Sequence, residues 1–289
     1  MEFYLAAVLQ GLCFCGIAAG IYISMKIFNI PDITTDGSYT LGAVVTAIML
    51  SHEISWYFIL PVVLLAGALA GSITGFIHTK LKISALLSGI LVMTALYSVN
   101  LKLMGRSNLP SLNYIGLFSG SSLIPSSTGG SLTILVAFIV ILGLIIGYVL
   151  ITDFGLAMRA TGNSESMIRA LGINSDRMKI IGLAMANALT AVSGFLMAQL
   201  QGFTDINMGI GIVIVGLGSV IIGDTAIRRF HITLVWLSLL LVFSGAVIFQ
   251  LVLAFTLSIG VDPNLLKLVT AVFVLLIVAL TQLSFKRND

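Results

Sequence analysis

The 289-residue chain is 58% hydrophobic and only 9% charged, with a mean hydropathy of +1.14 and a formal charge of +3. Soluble domains carry about 25% charged residues, so a water-exposed fold is excluded; the basic residues sit between apolar runs and form no single face, which excludes a nucleic-acid partner. Apolar runs of about 20 residues recur along the whole length, each able as a helix to satisfy its own backbone across a bilayer.

The expected fold is all-α: a polytopic transmembrane helical bundle of about nine spans, forming one integral-membrane domain over 1–289 with no polar linker. The first span, 5–27, holds Cys13 and Cys15, which read as small buried side chains rather than a disulfide or metal pair. No basic stretch precedes it, so it is expected to stay as a helix rather than be cleaved.

Pro31 to Ser38 interrupts the pattern before an unusually short second span, 37–50. Pro31 cannot continue a regular helix, and Thr35 or Asp36 can cap the next one, whose start would then lie inside the membrane. Asp32, Thr34, Thr35, Asp36 and Ser38 are therefore candidates for a substrate pathway, where carboxylates would attract an ammonium group. A cytoplasmic loop whose aspartates serve only as caps fits the same residues.

The third span, 56–77, carries Gly67, Gly71 and Gly75 on one face, a pattern for close helix packing that reads as packing within the chain in preference to a dedicated dimer interface. The fourth runs over 86–104. The segment 105–131, rich in Ser, Gly, Asn and Pro, is longer than a turn needs and reads as a docking surface or a connector, as do 201–208 and 258–264. Further spans are expected at 132–151, 180–200, 209–222, 232–257 and 265–283, with Gly143 and Gly147 repeating the close-packing spacing. Polar residues within spans, among them Thr94, Tyr97, Asn100, Asn187, Ser193 and Gln199, face a conduit or bond between helices; Tyr97, Asn100 and Asn187 join the pathway candidates.

Between the fifth and sixth spans lies the longest charged segment, 152–179. Asn163 or Ser164 can cap a short helix, Glu165 favours its first turn and Gly172 can end it, leaving Met167, Ile168 and Leu171 as an apolar face with Arg169 at the rim. Such a helix suits insertion into a groove on a soluble partner, or lies on the lipid surface. With the N-terminus outside and the C-terminus inside, Lys26, Lys80, Lys82, Arg159, Arg169, Arg177, Lys179, Arg228, Arg229, Lys286 and Arg287 fall on the cytoplasmic side. Only Lys102, Arg106 and Lys267 then lie outside, so the positive-inside rule selects this orientation.

Gly155-Leu156-Ala157-Met158-Arg159-Ala160, followed by Ala170-Leu171-Gly172-Ile173 and Arg177, resembles the coupling segment of ABC importer permeases of the branched-chain amino acid and ribose group. Asn29 to Ser38 with Leu41-Gly42-Ala43, and Val215 to Gly223, resemble two further family segments. Pro31-Asp32-Ile33-Thr34, His78-Thr79-Lys80-Leu81 and the run from Gly89 to Met104 are similar to permeases of proposed tryptophan or tyrosine import systems. Ser166 and Met167 depart from the coupling pattern, in which two alanines are common.

The resemblance implies a permease of the bacterial cytoplasmic (inner) membrane that works as two copies. Arg159, Asn163, Glu165, Met167, Ile168, Arg169, Leu171 and Gly172 would couple to a cytoplasmic ABC ATPase dimer, and an external substrate-binding protein would deliver an amino acid, aromatic in the nearest group. The chain has no GxxxxGK[ST] phosphate loop, so ATP and Mg belong to the partner and no cofactor is expected here. His52, His78 and His231 are far apart, and no nucleophile has a paired base, so catalysis is not expected. An ion-coupled secondary transporter is the alternative, with Asp32 and Asp36 as its only intramembrane ionisable candidates.

Overall fold

The computed structural model describes residues 2–111, 116–118, 128–230, 232–262 and 265–286. Each of the nine apolar runs is helical. The first is α1 (Glu2–Cys13) and α2 (Cys15–Ile21), continued by a π-helical turn (Tyr22–Ile27); then come α3 (Thr34–Ser51), α4 (Trp56–Lys80), α5 (Ala85–Met104) and α6 (Thr128–Ile151). Two short helices follow, α7 (Asp153–Asn163) and α8 (Glu165–Ala170), and then α9 (Ser175–Gln201), α10 (Ile212–Arg229), α11 (Val235–Ser258) and α12 (Leu266–Lys286).

Six helices among the described residues are long and apolar enough to cross a membrane: Glu2–Ile27, α4, α5, Gly129–Ile151 of α6, α9 and α11. Of the other three runs, α3 and α10 do not reach that measure, and the part of α12 that enters it, Leu266–Ala279, is a shorter apolar helix. Helix α9 is the axle of the fold, most of its length buried and packed chiefly against α4 and α3. The packing is backbone to backbone: a methyl group on Gly67, Gly71 or Gly75 of α4 would run into Asn187, Leu183 or Ile180 of α9. In hydrocarbon, where apolar burial gives no advantage over lipid, such contact is a main source of association energy. Gly16 and Gly20 of the first helices meet α9 in the same way, and Gly143 and Gly147 of α6 meet Phe243 and Trp236 of α11. The glycine repeats thus serve packing within the chain, as their spacing led us to expect.

Two elements were not anticipated. Strand β1 (Asn108–Pro110) pairs antiparallel with β2 (Phe203–Asp205), tying the chain after α5 to the chain after α9. This ribbon occupies part of two of the three expected docking segments, 105–131 and 201–208. The remainder of the first at 112–115 and 119–127, the end of the third at 263–264, and His231 and Arg287 lie outside the described residues. At the opposite end of the bundle, α7 lengthens the charged connector into a helical hairpin with α8.

Candidate functional site

The break before α3 builds the first part of the site. The helix that begins the chain widens into its π-turn, Asn29 takes a left-handed conformation (φ 55°) and α3 restarts at Thr34. Neither Thr35 nor Asp36 caps that restart, contrary to the expectation; Ile33 is the N-cap residue and Asp32 Oδ1 accepts the Thr34 amide at 2.9 Å. The Thr35 hydroxyl instead donates to the Asp32 carbonyl at 3.2 Å.

The other Asp32 oxygen accepts Asn187 Nδ2 at 2.7 Å, and Asn187 Oδ1 accepts the Ser38 hydroxyl at 2.7 Å. Asn187 Nδ2 also reaches the Leu183 carbonyl, and Thr34 Oγ1 pairs with Thr74 Oγ1 of α4 at 2.7 Å. All five side chains are buried. Thr74 stands six residues before Lys80 and Asn187 twelve after Ser175, which at 1.5 Å per residue is about 9 and 18 Å from those helix ends. Helix α3 therefore starts inside the bundle, its opening turn held by side chains because water is scarce there. Of the pathway candidates, Asp32, Thr34, Thr35, Ser38 and Asn187 form this network.

Asp36 does a different job. In the first turn of α3, its Oδ2 accepts the Gly211 amide and its Oδ1 the Val213 amide, each at 2.9 Å. These are orphan amides at the start of α10, where a negative charge also complements the helix dipole. Tyr97 and Asn100 of α5 lie beside it, bordering a narrow cleft with Gly37, Thr40 and Gly209. Elsewhere the polar residues of the spans bond locally or between helices: Thr94 to the Ile90 carbonyl, Ser193 to the Ile17 amide, and Gln199 to the Leu117 amide.

The α7–α8 hairpin forms the second part. Its Ser164 caps α8, accepting the Met167 amide, while Asn163 closes α7; beyond α8 the chain turns at Gly172 with φ 81°. The expected apolar face divides in two. Met167 and Leu171 are 61% and 66% exposed, whereas Ile168 is 3% exposed and points into the bundle. Arg169 is no free rim residue: its guanidinium bonds Glu165 Oε1 at 2.6 Å, Ser175 Oγ at 2.7 Å and Asp176 Oδ1 at 3.2 Å. Lys179 meets Glu165 Oε2 at 2.6 Å, and its hydrogen bond, helped by Ser175, holds the Glu165 carboxyl below its ordinary value.

The hairpin sits on the first helix. Asn29 Nδ2 donates to the Gly162 carbonyl at 3.3 Å, a methyl group on Gly162 would collide with the Ile27 carbonyl, and Arg159 donates to the Leu150 carbonyl. Lys80 pairs with Asp176, and Lys26 with Asp224, which also holds Arg228, so the basic residues gather at this end of the bundle. Thr74, the Gly211 and Val213 amides and the seating of Gly162 were missed from the sequence; only Thr74, set between Gly71 and Gly75 on a close-packing face, carried a readable signal.

The family described as "Branched-chain amino acid transport system / permease component" matches residues 4–280. A tyrosine transport system permease protein of Clostridioides difficile is 38% identical over 279 residues, covering 96% of this chain and 91% of that protein. An uncharacterized protein of Rickettsia prowazekii is 34% identical over the full length of both chains. The ribose import permease protein of Haemophilus influenzae is 25% identical across 73% of this chain and 65% of its own. No solved structure matches the chain.

Proposed function

Because this chain belongs to the branched-chain amino acid transport system / permease component family, a transport permease and not itself an enzyme, we propose that it is the membrane subunit of a bacterial ABC importer. The observation that carries this reading is the α7–α8 hairpin. It offers two adjacent exposed apolar side chains, Met167 and Leu171, on a base stiffened by Glu165, Arg169, Asp176 and Lys179. Exposed apolar anchors ringed by satisfied charges suit a groove in a soluble partner. That partner is a cytoplasmic ATPase dimer, which supplies ATP and Mg and closes to push the hairpin against Ile27 to Asn29.

In this reading nine spans cross the bacterial inner membrane with the hairpin inside, in keeping with the basic residues gathered at that end. Two copies enclose the pathway. The outward face of α5 supports this: it is the least buried of the six long apolar helices and exposes Thr94, Tyr97 and Ser98, polar groups that are costly against lipid but acceptable in a conduit or against a second subunit. An external binding protein delivers the solute at the ribbon end. The solute is an amino acid, with an aromatic one favoured by the tyrosine permease relative.

Proteoliposomes holding the chain with its ATPase test this. Tyrosine uptake should require ATP and fall in Arg169→Glu, which places a carboxylate against Glu165 and Asp176. Uptake driven by a proton gradient without ATP would overturn it in favour of a secondary transporter.

A further inference from the structure

Where α3, α5 and the approach to α10 converge, the structure leaves a cleft of about 20 Å³, room for one small polar head. Asn100 on its wall is wholly buried; its Nδ2 donates to the Gly37 carbonyl at 3.3 Å, and its Oδ1 has no partner. Turning the amide over would set oxygen against the Gly37 oxygen, so the unpaired group is an acceptor. Buried polar atoms are nearly always paired, which makes this one informative.

The rest of the wall has the same character. Each Asp36 oxygen accepts one amide and keeps lone pairs to spare, and no Lys or Arg among the described residues pairs with it, Lys267 acting only through space. The Thr40 hydroxyl donates to the Asp36 carbonyl at 3.1 Å, leaving its lone pairs free. Three acceptors, one of them a carboxylate, call for a cationic group with several N–H bonds. A carboxylate in the same place would face the carboxylate of Asp36.

The geometry points to a contact site for the primary ammonium of the transported solute, its head in the cleft and its apolar body outside against Tyr97 and Met93. Tyr97 is 44% exposed at the mouth, and an aromatic ring there meets a ring and a sulfur. Asn100 lies four residues before the end of α5, about 6 Å along the helix, within reach of a solute entering from the ribbon end. That a solute passes there at all rests on the importer reading.

Radiolabelled tyramine, a primary ammonium on a phenol, is the probe, measured on the full chain in nanodiscs without any ATPase; 3-(4-hydroxyphenyl)propionate, which lacks the ammonium, is the competitor. Tyramine should bind saturably and the competitor should not displace it. Asn100→Leu, which keeps the volume and removes the acceptor, should weaken binding by about tenfold. Tyr97→Ala, at an exposed position that spares the fold, should weaken it severalfold, and Tyr148→Ala, at an exposed position on α6, should leave it unchanged. Displacement by the propionate, wild-type binding in both Asn100→Leu and Tyr97→Ala, or no saturable binding would overturn the site. ATP-driven uptake persisting beside such a result would leave the importer reading intact; tyramine binding without ATP-driven uptake would do the reverse.

Discussion

Replacing Asn187 with Leu should loosen the join between α3 and α9 by an amount the geometry bounds. The substitution keeps the side-chain volume and removes three bonds, leaving the Ser38 hydroxyl without its acceptor and Asp32 Oδ2 without its donor; Asp32 Oδ1 still holds Thr34. In a soluble core two orphaned groups cost about 1–3 kcal/mol each. Interhelical bonds in membranes average nearer about 0.6 kcal/mol, because the chain unfolded within the bilayer also finds partners. With a carboxylate involved, about 2 kcal/mol is expected, a fall in melting midpoint of about 4–8 °C. Cys13 and Cys15 are free and fully buried, so a thiol-reactive fluorophore reports the opening of the core directly. Ser38→Ala should then add nothing in the Asn187→Leu background, since the orphaned donor goes with it, giving a coupling energy of about 1 kcal/mol. A midpoint within about 1 °C of the parent chain, or strict additivity, would refute the reasoning.

Gly162→Val forces a branched side chain into the Ile27 carbonyl, an overpacking of about 1–3 kcal/mol at the seat of the hairpin. ATP-driven uptake should collapse while the ATPase still co-purifies, and undiminished uptake would count against force passing through this contact. Because the folded Glu165 carboxyl sits below its ordinary 4.5, the stability it lends is present above that pH and is lost as pH falls through the lower folded value. Hydrogen exchange in 165–179 should rise on acidification below pH 4.5, and Glu165→Gln should exchange fast at every pH. Finally, Leu171→Cys, at an exposed site in a chain whose native thiols are buried, should react with an impermeant maleimide in inside-out vesicles and resist it in intact cells.

Helix existence was legible because the bilayer demands long self-satisfied apolar runs, and each expected run is a helix. The break at Pro31 was legible too, since proline and a cluster of short polar residues rarely sit mid-helix. What each polar residue does there was not. Thr35 and Asp36 are as good N-caps as any by type, and only the three-dimensional course of α10 shows that Asp36 is occupied by amides 175 and 177 residues away. The hairpin followed the same pattern: Ser164 and Gly172 announced the ends of α8, but the inward turn of Ile168 depends on which side of this six-residue helix faces the bundle. The β1–β2 ribbon left no trace, because three-residue strands are too short to show alternation.

The grip of Asp36 on α10 has a mechanical corollary. The irregular stretch from Phe28 to Ile33 lies between the hairpin's resting place on Ile27 and the first turn of α3, so in the proposed importer a thrust from α7 would be delivered at an irregular joint rather than along a continuous helix. Beyond the joint, α3 and α10 share one carboxylate and must tilt together. A small push at one face of the membrane would thereby be turned into a coordinated swing of two helices bordering the Tyr97 cleft, as a knuckle converts a pull on a tendon into the closing of a finger.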